Sequence, residues 1–207
     1  LGQHFLLDPG ITARIARAAG DLTGHPVIEI GPGPGVLTRA LLAAGADPLI
    51  AIERDARCVE ALQDVVEAAD GRLRLVAADA LAVDEAALVA EHGGALPAVI
   101  VANLPYNIAT VLILKWLAHP GDFADIVVMV QKEVAQRLAA PPRGDAYGRL
   151  AVMTQWRAEV AMLFDLAPGA FTPPPKVTST VVRITPRAAP STPAEPKAME
   201  EIGRAHV

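Results

Sequence analysis

Short, mainly apolar runs alternate with longer stretches of helical period along most of this chain. Val27–Ile30, Pro48–Ile52, Leu73–Ala77, Ala98–Ala102 and Ile126–Val130 read as strands buried on both faces. Val36–Ala44, Ala56–Ala69, Glu85–Glu91 and Asn107–His119 read as helices, with Asp55 and Asp84 as N-caps and Gly45 as a helix stop. A last strand is expected over Val177–Ile184. Strand and helix in turn predict an α/β fold, a mainly parallel sheet with helices on both faces. In such sheets ligands bind beyond the carboxyl ends of the strands.

The residues that close these strands carry the chemistry. After the first run the chain reads Gly31-Pro-Gly33-Pro-Gly35, a strand passing through closely spaced glycines into a helix, which lets backbone approach a ligand. The spacing differs from the dinucleotide fingerprint: the third glycine comes one residue early, and Val36 stands where that fingerprint wants Gly or Ala. Glu53 closes the second strand and suits the two hydroxyls of a ribose. Asp79, after the third, can accept an adenine amino group. Asn103-Leu104-Pro105-Tyr106 follows the fourth. The Asn103 side-chain carbonyl and the Leu104 main-chain carbonyl can each accept one hydrogen of an exocyclic amine, Pro105 fixes the turn, and Tyr106 can stack on the ring. Two acceptors favour the pyramidal amine whose lone pair points at an electrophile. Taken singly, each carboxylate is more often a helix cap or a solvated loop residue, and Asn-X-Pro an ordinary turn. As an ordered set after successive strands they describe a nucleoside pocket.

Composition narrows the class. Of 207 residues 52% are hydrophobic and only 4% aromatic, so the interior is built from Ala, Val and Leu in one sizeable domain. Cys58 is the one cysteine, which excludes a disulfide framework or a cysteine-based zinc site; it is expected as a small core residue. No metal site is expected. No apolar run approaches the ~20 residues that cross a bilayer, and the opening segment lacks a signal-peptide pattern, so a cytoplasmic location is expected. The net charge of -5 is unevenly spread: residues 1–125 carry 8 Lys+Arg against 16 Asp+Glu, residues 126–187 carry 8 against 4. Lys132, Arg137, Arg143, Arg149, Arg157, Lys176, Arg183 and Arg187 are thus candidates to meet phosphates.

Six segments together carry a resemblance: Leu1-Gly-Gln-His-Phe-Leu6, Glu29-Ile-Gly-Pro-Gly33, Asn103-Leu-Pro-Tyr-Asn-Ile-Ala-Thr110, Gln131-Lys-Glu-Val-Ala-Gln-Arg-Leu138, Tyr147-Gly-Arg-Leu150 and Phe171-Thr-Pro-Pro-Pro-Lys-Val177. The chain resembles the ribosomal RNA adenine dimethyltransferases of the small-subunit type, from Leu1 to about Arg187. The glycine motif is common to many methyltransferases; the last four segments are far more specific. The resemblance implies a Rossmann-like class I S-adenosylmethionine-dependent fold with a seven-stranded sheet. It implies methyl transfer from S-adenosylmethionine to the 6-amino groups of two adjacent adenosines near the 3' end of small-subunit rRNA, within a pre-ribosomal particle, by a monomer. The opening segment, with Gln3, His4 and Leu6, would lie over the cofactor. Gly31, Gly33 and Gly35 would form its loop, Glu53 the ribose contact, Asp79 the adenine contact, and Asn103 would touch both cofactor and target amine. Phe171 would stack on the target adenine opposite Tyr106, with Pro173-Pro174-Pro175 holding that ring rigidly.

The chain departs from the pattern at several points. His4 stands where the family often has Asn, and Ala78 where a glycine is common. Leu1 is not a start Met, and the basic residues that usually precede the opening motif are absent. Residues 1–187 are expected to form the methyltransferase domain, 188–201 a Pro-rich linker and the start of a truncated helical domain, and 202–207 a tail of non-native origin. Three rivals remain: a large-subunit rRNA methyltransferase of the macrolide-resistance type, disfavoured by Asn103-Leu-Pro-Tyr and Pro173-Pro-Pro-Lys; a nicotinamide dehydrogenase, disfavoured by the glycine spacing; and a non-catalytic assembly or transcription factor on the same fold, disfavoured by intact Glu53, Asn103 and Tyr106.

Overall fold

The computed structural model describes residues 4–192. A two-residue strand β1 (Phe5–Leu6) opens the chain, followed by α1 (Pro9–Ala18), which Asp8 caps by accepting from the Gly10 and Ile11 amides. Then come β2 (Val27–Ile30), α2 (Val36–Ala43), β3 (Leu49–Glu53), α3 (Ala56–Ala61), α4 (Gln63–Ala68), β4 (Leu73–Ala77), α5 (Glu85–Glu91), β5 (Ala98–Asn103) and α6 (Ala109–Trp116). The second half holds β6 (Phe123–Gln131), α7 (Lys132–Leu138), α8 (Arg149–Arg157), β7 (Ala158–Leu166), β8 (Phe171–Thr172) and β9 (Ser179–Pro186).

Seven strands form one sheet in the order β4-β3-β2-β5-β6-β9-β7. The first five pair in parallel, and β9 runs antiparallel to both of its neighbours. Strand parity divides the core between the two faces. Ile28, Ile50, Ile100 and Ile126 pack with Leu112 and Trp116 of α6, whereas Val27, Leu49, Val99 and Val127 pack with Ile15 of α1 and Leu41 of α2. The chain leaves β2 toward β3 and β4, then returns to the other side of β2 for β5. That reversal opens a crevice at the carboxyl ends of β2 and β5.

Asp55 and Asp84 cap α3 and α5, accepting from the Arg57 and Ala87 amides as expected. Gly45 follows α2 at φ +93°, a left-handed conformation that suits glycine at a helix end. The helix expected over residues 56–69 is broken in two: Leu62, wholly buried, sits at φ −89°, ψ −6° between α3 and α4. α3 buries no residue, so Cys58 is only half-buried rather than a core residue. The segment expected as a linker begins by folding back onto α8: the Ser191 amide donates to the Trp156 carbonyl (2.9 Å), and Trp156 Nε1 to the Thr192 carbonyl (3.0 Å). The rest of 188–201, the whole of 202–207 and Gln3 lie outside the described residues. Among those described, no helix is long and apolar enough to cross a membrane.

Candidate active site

A cavity of about 390 Å³ fills the crevice. Four of the five parallel strands deliver a residue to it from the carboxyl end: Gly31 after β2, Glu53 at the end of β3, Asp79 after β4 and Asn103 at the end of β5. The glycines differ in what they do. Gly31 sits at φ +66°, and a Cβ there would point into open space, so the backbone is bare where a ligand can press against it. At Gly35 a Cβ would fall 2.5 Å from Leu62, so this residue serves the packing of α4 against the loop and does not line the cavity. Gly33 lines the cavity, and its Cβ position is covered by the Phe5 ring.

Glu53 is buried and bonded to the backbone around it. Its Oε1 accepts from the Arg54 and Asp55 amides, both at 2.8 Å, and its Oε2 from Gly33 at 3.3 Å. A carboxylate offers about four acceptor sites, so one remains on Oε2 for a hydroxyl in the cavity. Asp79 lies at the rim. The Leu81 amide, donating to its Oδ1 at 3.0 Å, holds its carboxyl below the ordinary value, and Arg54 at 3.1 Å from Oδ2 adds to this. Glu29, below the glycine loop, is fully buried with neither oxygen hydrogen-bonded among the described residues. Burial pushes its carboxyl up to about 8; the Thr38 hydroxyl beside it works against the rise, and the charge of Glu53 adds to it.

The Asn103 turn is tied to the opening segment. Asn103 Nδ2 donates to the His4 carbonyl at 2.9 Å. A carbonyl demands a donor, so the nitrogen end faces His4 and Oδ1 is the end left for another donor. Leu104 is buried, and its amide donates to the Met129 carbonyl at 3.3 Å, which sets the main chain of the turn against β6. Pro105 closes the turn by accepting from the Ile108 amide. The Tyr106 hydroxyl shares a 2.8 Å hydrogen bond with Ser179 Oγ on β9, which fixes the ring at the cavity wall.

Three expected positions require correction. Phe171 does not line the cavity as Tyr106 does: it is 4% exposed and belongs to the core cluster on the α1 face of the sheet. Leu6 is buried in the same cluster and does not line the cavity; β1 pairs with β8 so that Leu6 and Phe171 lie side by side. Gly35, as above, is a packing residue. The ring beside Tyr106 is His4, with centroids 5.6 Å apart and planes inclined by 32°. His4 Nδ1 is also 2.8 Å from the Pro173 carbonyl, so one residue joins the cavity cover, the Asn103 turn and the Pro173–Pro175 loop. Phe5, Asn107 and Ile108 line the cavity from within the quoted segments, where no role was expected of them, and Arg54 lines it from the position after Glu53, where no periodicity marks it.

The basic segment also divides. Lys132 pairs with Asp165, Arg183 with Asp125, Arg187 with Glu159, and Arg157 donates to the Leu117 and Ala118 carbonyls. Arg137, Arg143, Arg149 and Lys176 are exposed and make no ion pair among the described residues.

The profile of the family described as "Ribosomal RNA adenine dimethylase" matches residues 1–199. The chain belongs to this family. It is 58% identical over 202 residues to the Ribosomal RNA small subunit methyltransferase A of Paramagnetospirillum magneticum, covering 98% of this chain and 70% of that protein. It is 54% identical to the protein of that name from Mesorhizobium japonicum, over 99% of this chain and 73% of the relative. Among solved structures, a dimethyladenosine transferase from Plasmodium falciparum superposes with a TM-score of 0.76 at 32% identity, over 89% of this chain and 64% of that one. The 23S rRNA methyltransferase ErmE superposes at 0.77 and 29% identity, over 95% and 75%. The sheet is accordingly that of a class I methyltransferase, and an enzyme of this family takes its methyl group from S-adenosylmethionine. The cavity fits that cofactor: bare backbone at Gly31, an acceptor remaining on Glu53 and a carboxylate at the rim meet a nucleoside.

Proposed function

We propose that this chain is the methyltransferase part, residues 1–187, of an enzyme that dimethylates the 6-amino groups of two adjacent adenosines near the 3' end of small-subunit rRNA. The observation that carries the reading is the Asn103 turn: its side-chain nitrogen is committed to the His4 carbonyl, leaving Oδ1 as an acceptor in the cavity beside Glu53 and Gly31. Identity of 58% to a small-subunit enzyme, against 29% to a 23S enzyme, favours the small subunit.

Glu53 would hold a ribose hydroxyl, and Asp79 the adenine amino group, of the cofactor. S-adenosylmethionine supplies an electrophilic methyl on a sulfonium. Asn103 Oδ1 and the Leu104 carbonyl would hold the two hydrogens of the target amine, so that its lone pair points along the line of attack. Transfer of that methyl would form an N–C bond on the amine at the expense of the S–C bond, and Asn103 Oδ1 or the Leu104 carbonyl would accept the extra proton's hydrogen bond on its way to solvent. The target base has left its stack, at a cost of a few kcal/mol that stacking on Tyr106 offsets in part. Alignment of this kind can lower a barrier by about 7–11 kcal/mol.

The test is transfer of labelled methyl groups to small-subunit particles isolated without this modification. The expected product is N6,N6-dimethyladenosine in the small-subunit rRNA. Label on the large subunit alone, or none with the cofactor bound, would replace this reading with one of its rivals.

A further inference from the structure

The cofactor side of the cavity is built from a loop, and a buried ionic group outside the site holds that loop. Residues 78–84, between β4 and α5, supply Ala78, Asp79, Ala80 and Leu81 to the cavity wall. The carbonyls of Ala80 and Val83 accept from Nζ of Lys115, which does not itself line the cavity, the first at 2.8 Å. The third partner of the ammonium group is Glu85 Oε1, also at 2.8 Å, and that oxygen accepts from Trp116 Nε1 at 2.7 Å. Three N–H donors thus meet three acceptors, and Glu85 is only 6% exposed.

Holding α6 on the sheet does not require this arrangement, because Leu112, Ile113 and Trp116 already bury the helix against the strands. A partly buried ion pair is a poor means of adding stability, since desolvation consumes most of the attraction. What it contributes is direction, by pinning two carbonyls of an irregular loop to one atom. α6 starts just beyond the Asn103 turn and ends at Lys115 and Trp116. One rigid helix therefore carries the target-amine turn at its start and the anchor of the cofactor loop at its end. Asp79 belongs to that loop: the Leu81 amide donates to its Oδ1, and from outside the loop only the exposed side chain of Arg54 reaches its Oδ2.

We propose that Lys115, with Glu85, is a positioning residue that sets Asp79 for recognition of the cofactor's adenine. The inference rests on Asp79 being the acceptor for the adenine amino group. The test uses the whole chain and two probes: S-adenosylhomocysteine, and S-inosylhomocysteine, which presents a carbonyl oxygen in place of that amino group. In calorimetry the native chain should prefer the adenosyl compound roughly tenfold or more, the worth of a hydrogen bond to a charged group. The double variant Lys115→Met/Glu85→Gln removes both charges together and keeps an acceptor for Trp116. It should lose most of the preference through weaker adenosyl binding, while affinity for the inosyl compound changes little; a general loss of structure would weaken both alike. A preference retained in the double variant but abolished in Asp79→Ala overturns the anchor and leaves the adenine contact standing. A preference untouched by Asp79→Ala removes the contact, and the inference falls with it.

Discussion

Asn103 is worth more than its turn because its amide is oriented by something other than substrate. Its nitrogen already has the His4 carbonyl, so the energetic cost of presenting Oδ1 is met before RNA arrives. Asn103→Ala should therefore reduce single-turnover methyl transfer by roughly 100-fold or more, about the 2.7–4 kcal/mol of one preorganised polar group, with a smaller loss of cofactor affinity. Transfer at the native rate would remove Asn103 from the chemistry. Glu53→Ala should weaken S-adenosylmethionine about tenfold or more in calorimetry, by deleting the remaining acceptor and the bonds that hold Gly33, Arg54 and Asp55; unchanged affinity would remove Glu53 from the site. Glu29 gives a pH signature. Its folded pKa is raised, so the proton it binds favours the folded state: the contribution is whole below about 4.5 and lost as pH rises toward about 8. In denaturant titrations without cofactor, Glu29→Gln should remove a fall in stability on the order of a few kcal/mol across that window. Parallel stability curves for the two proteins would mean that Glu29 is ionised in the fold. The sequence displays Glu53, Asp79 and Asn103 because each follows a strand, but it cannot display Lys115 or the His4 latch. Those depend on partners 30 to 35 residues away for Lys115 and 99 to 169 away for His4.

Among the elements, the hydrophobic pattern reveals best those whose apolar residues are consecutive or recur at helical spacing, whether central like β2 or at the edge like β4. β2, β4 and α5 run over the expected residues, β5 and α2 differ by one residue at an end, and β3 is shifted by one residue at both ends. β7 lies at one edge of the sheet, as β4 does at the other, with exposed and half-buried residues along most of its length; its apolar run Val160–Phe164 is as long as those read as strands and escapes the pattern because it directly follows a stretch of helical character without a turn signal between them. The two-residue strands β1 and β8 are too short for any period; they exist because residues 5–6 and 171–172 pair across the chain. That pairing also explains why Phe171, expected at the target base, lies in the core. Phe171→Ala should then behave as a core truncation and cost about 3–5 kcal/mol. At roughly 2–4 °C per kcal/mol for a chain of this size, thermal unfolding should move down by about 6–20 °C. An unchanged midpoint would show that the ring does not contribute to the core.

On the scale of the whole molecule, charge decides which side faces RNA. The half that forms the cofactor crevice is acidic, and phosphate is attracted only by residues 126–187. The fold uses half of the basic residues there internally: Lys132, Arg157, Arg183 and Arg187 are half-buried and bonded to carboxylates or carbonyls, whereas Arg137, Arg143, Arg149 and Lys176 are exposed. Sequence could not make this division, because every bonded partner lies on another element. It implies two kinds of variant. Neutralising the four exposed residues together to Gln should weaken binding to small-subunit particles and flatten the dependence of log affinity on log salt by roughly 3, at about 0.7–0.9 for each phosphate that is no longer neutralised. Thermal stability should hardly change, since exposed substitutions lie within about 0.5 kcal/mol each. Arg157→Gln should do the reverse, lowering the unfolding temperature by releasing the Leu117 and Ala118 carbonyls while leaving the salt slope as it was. Titrations of the particles at several salt concentrations separate the two. A slope unaltered in the fourfold variant would place the RNA elsewhere on the protein, including on the portion of the relatives' length, about 30%, that this chain does not span.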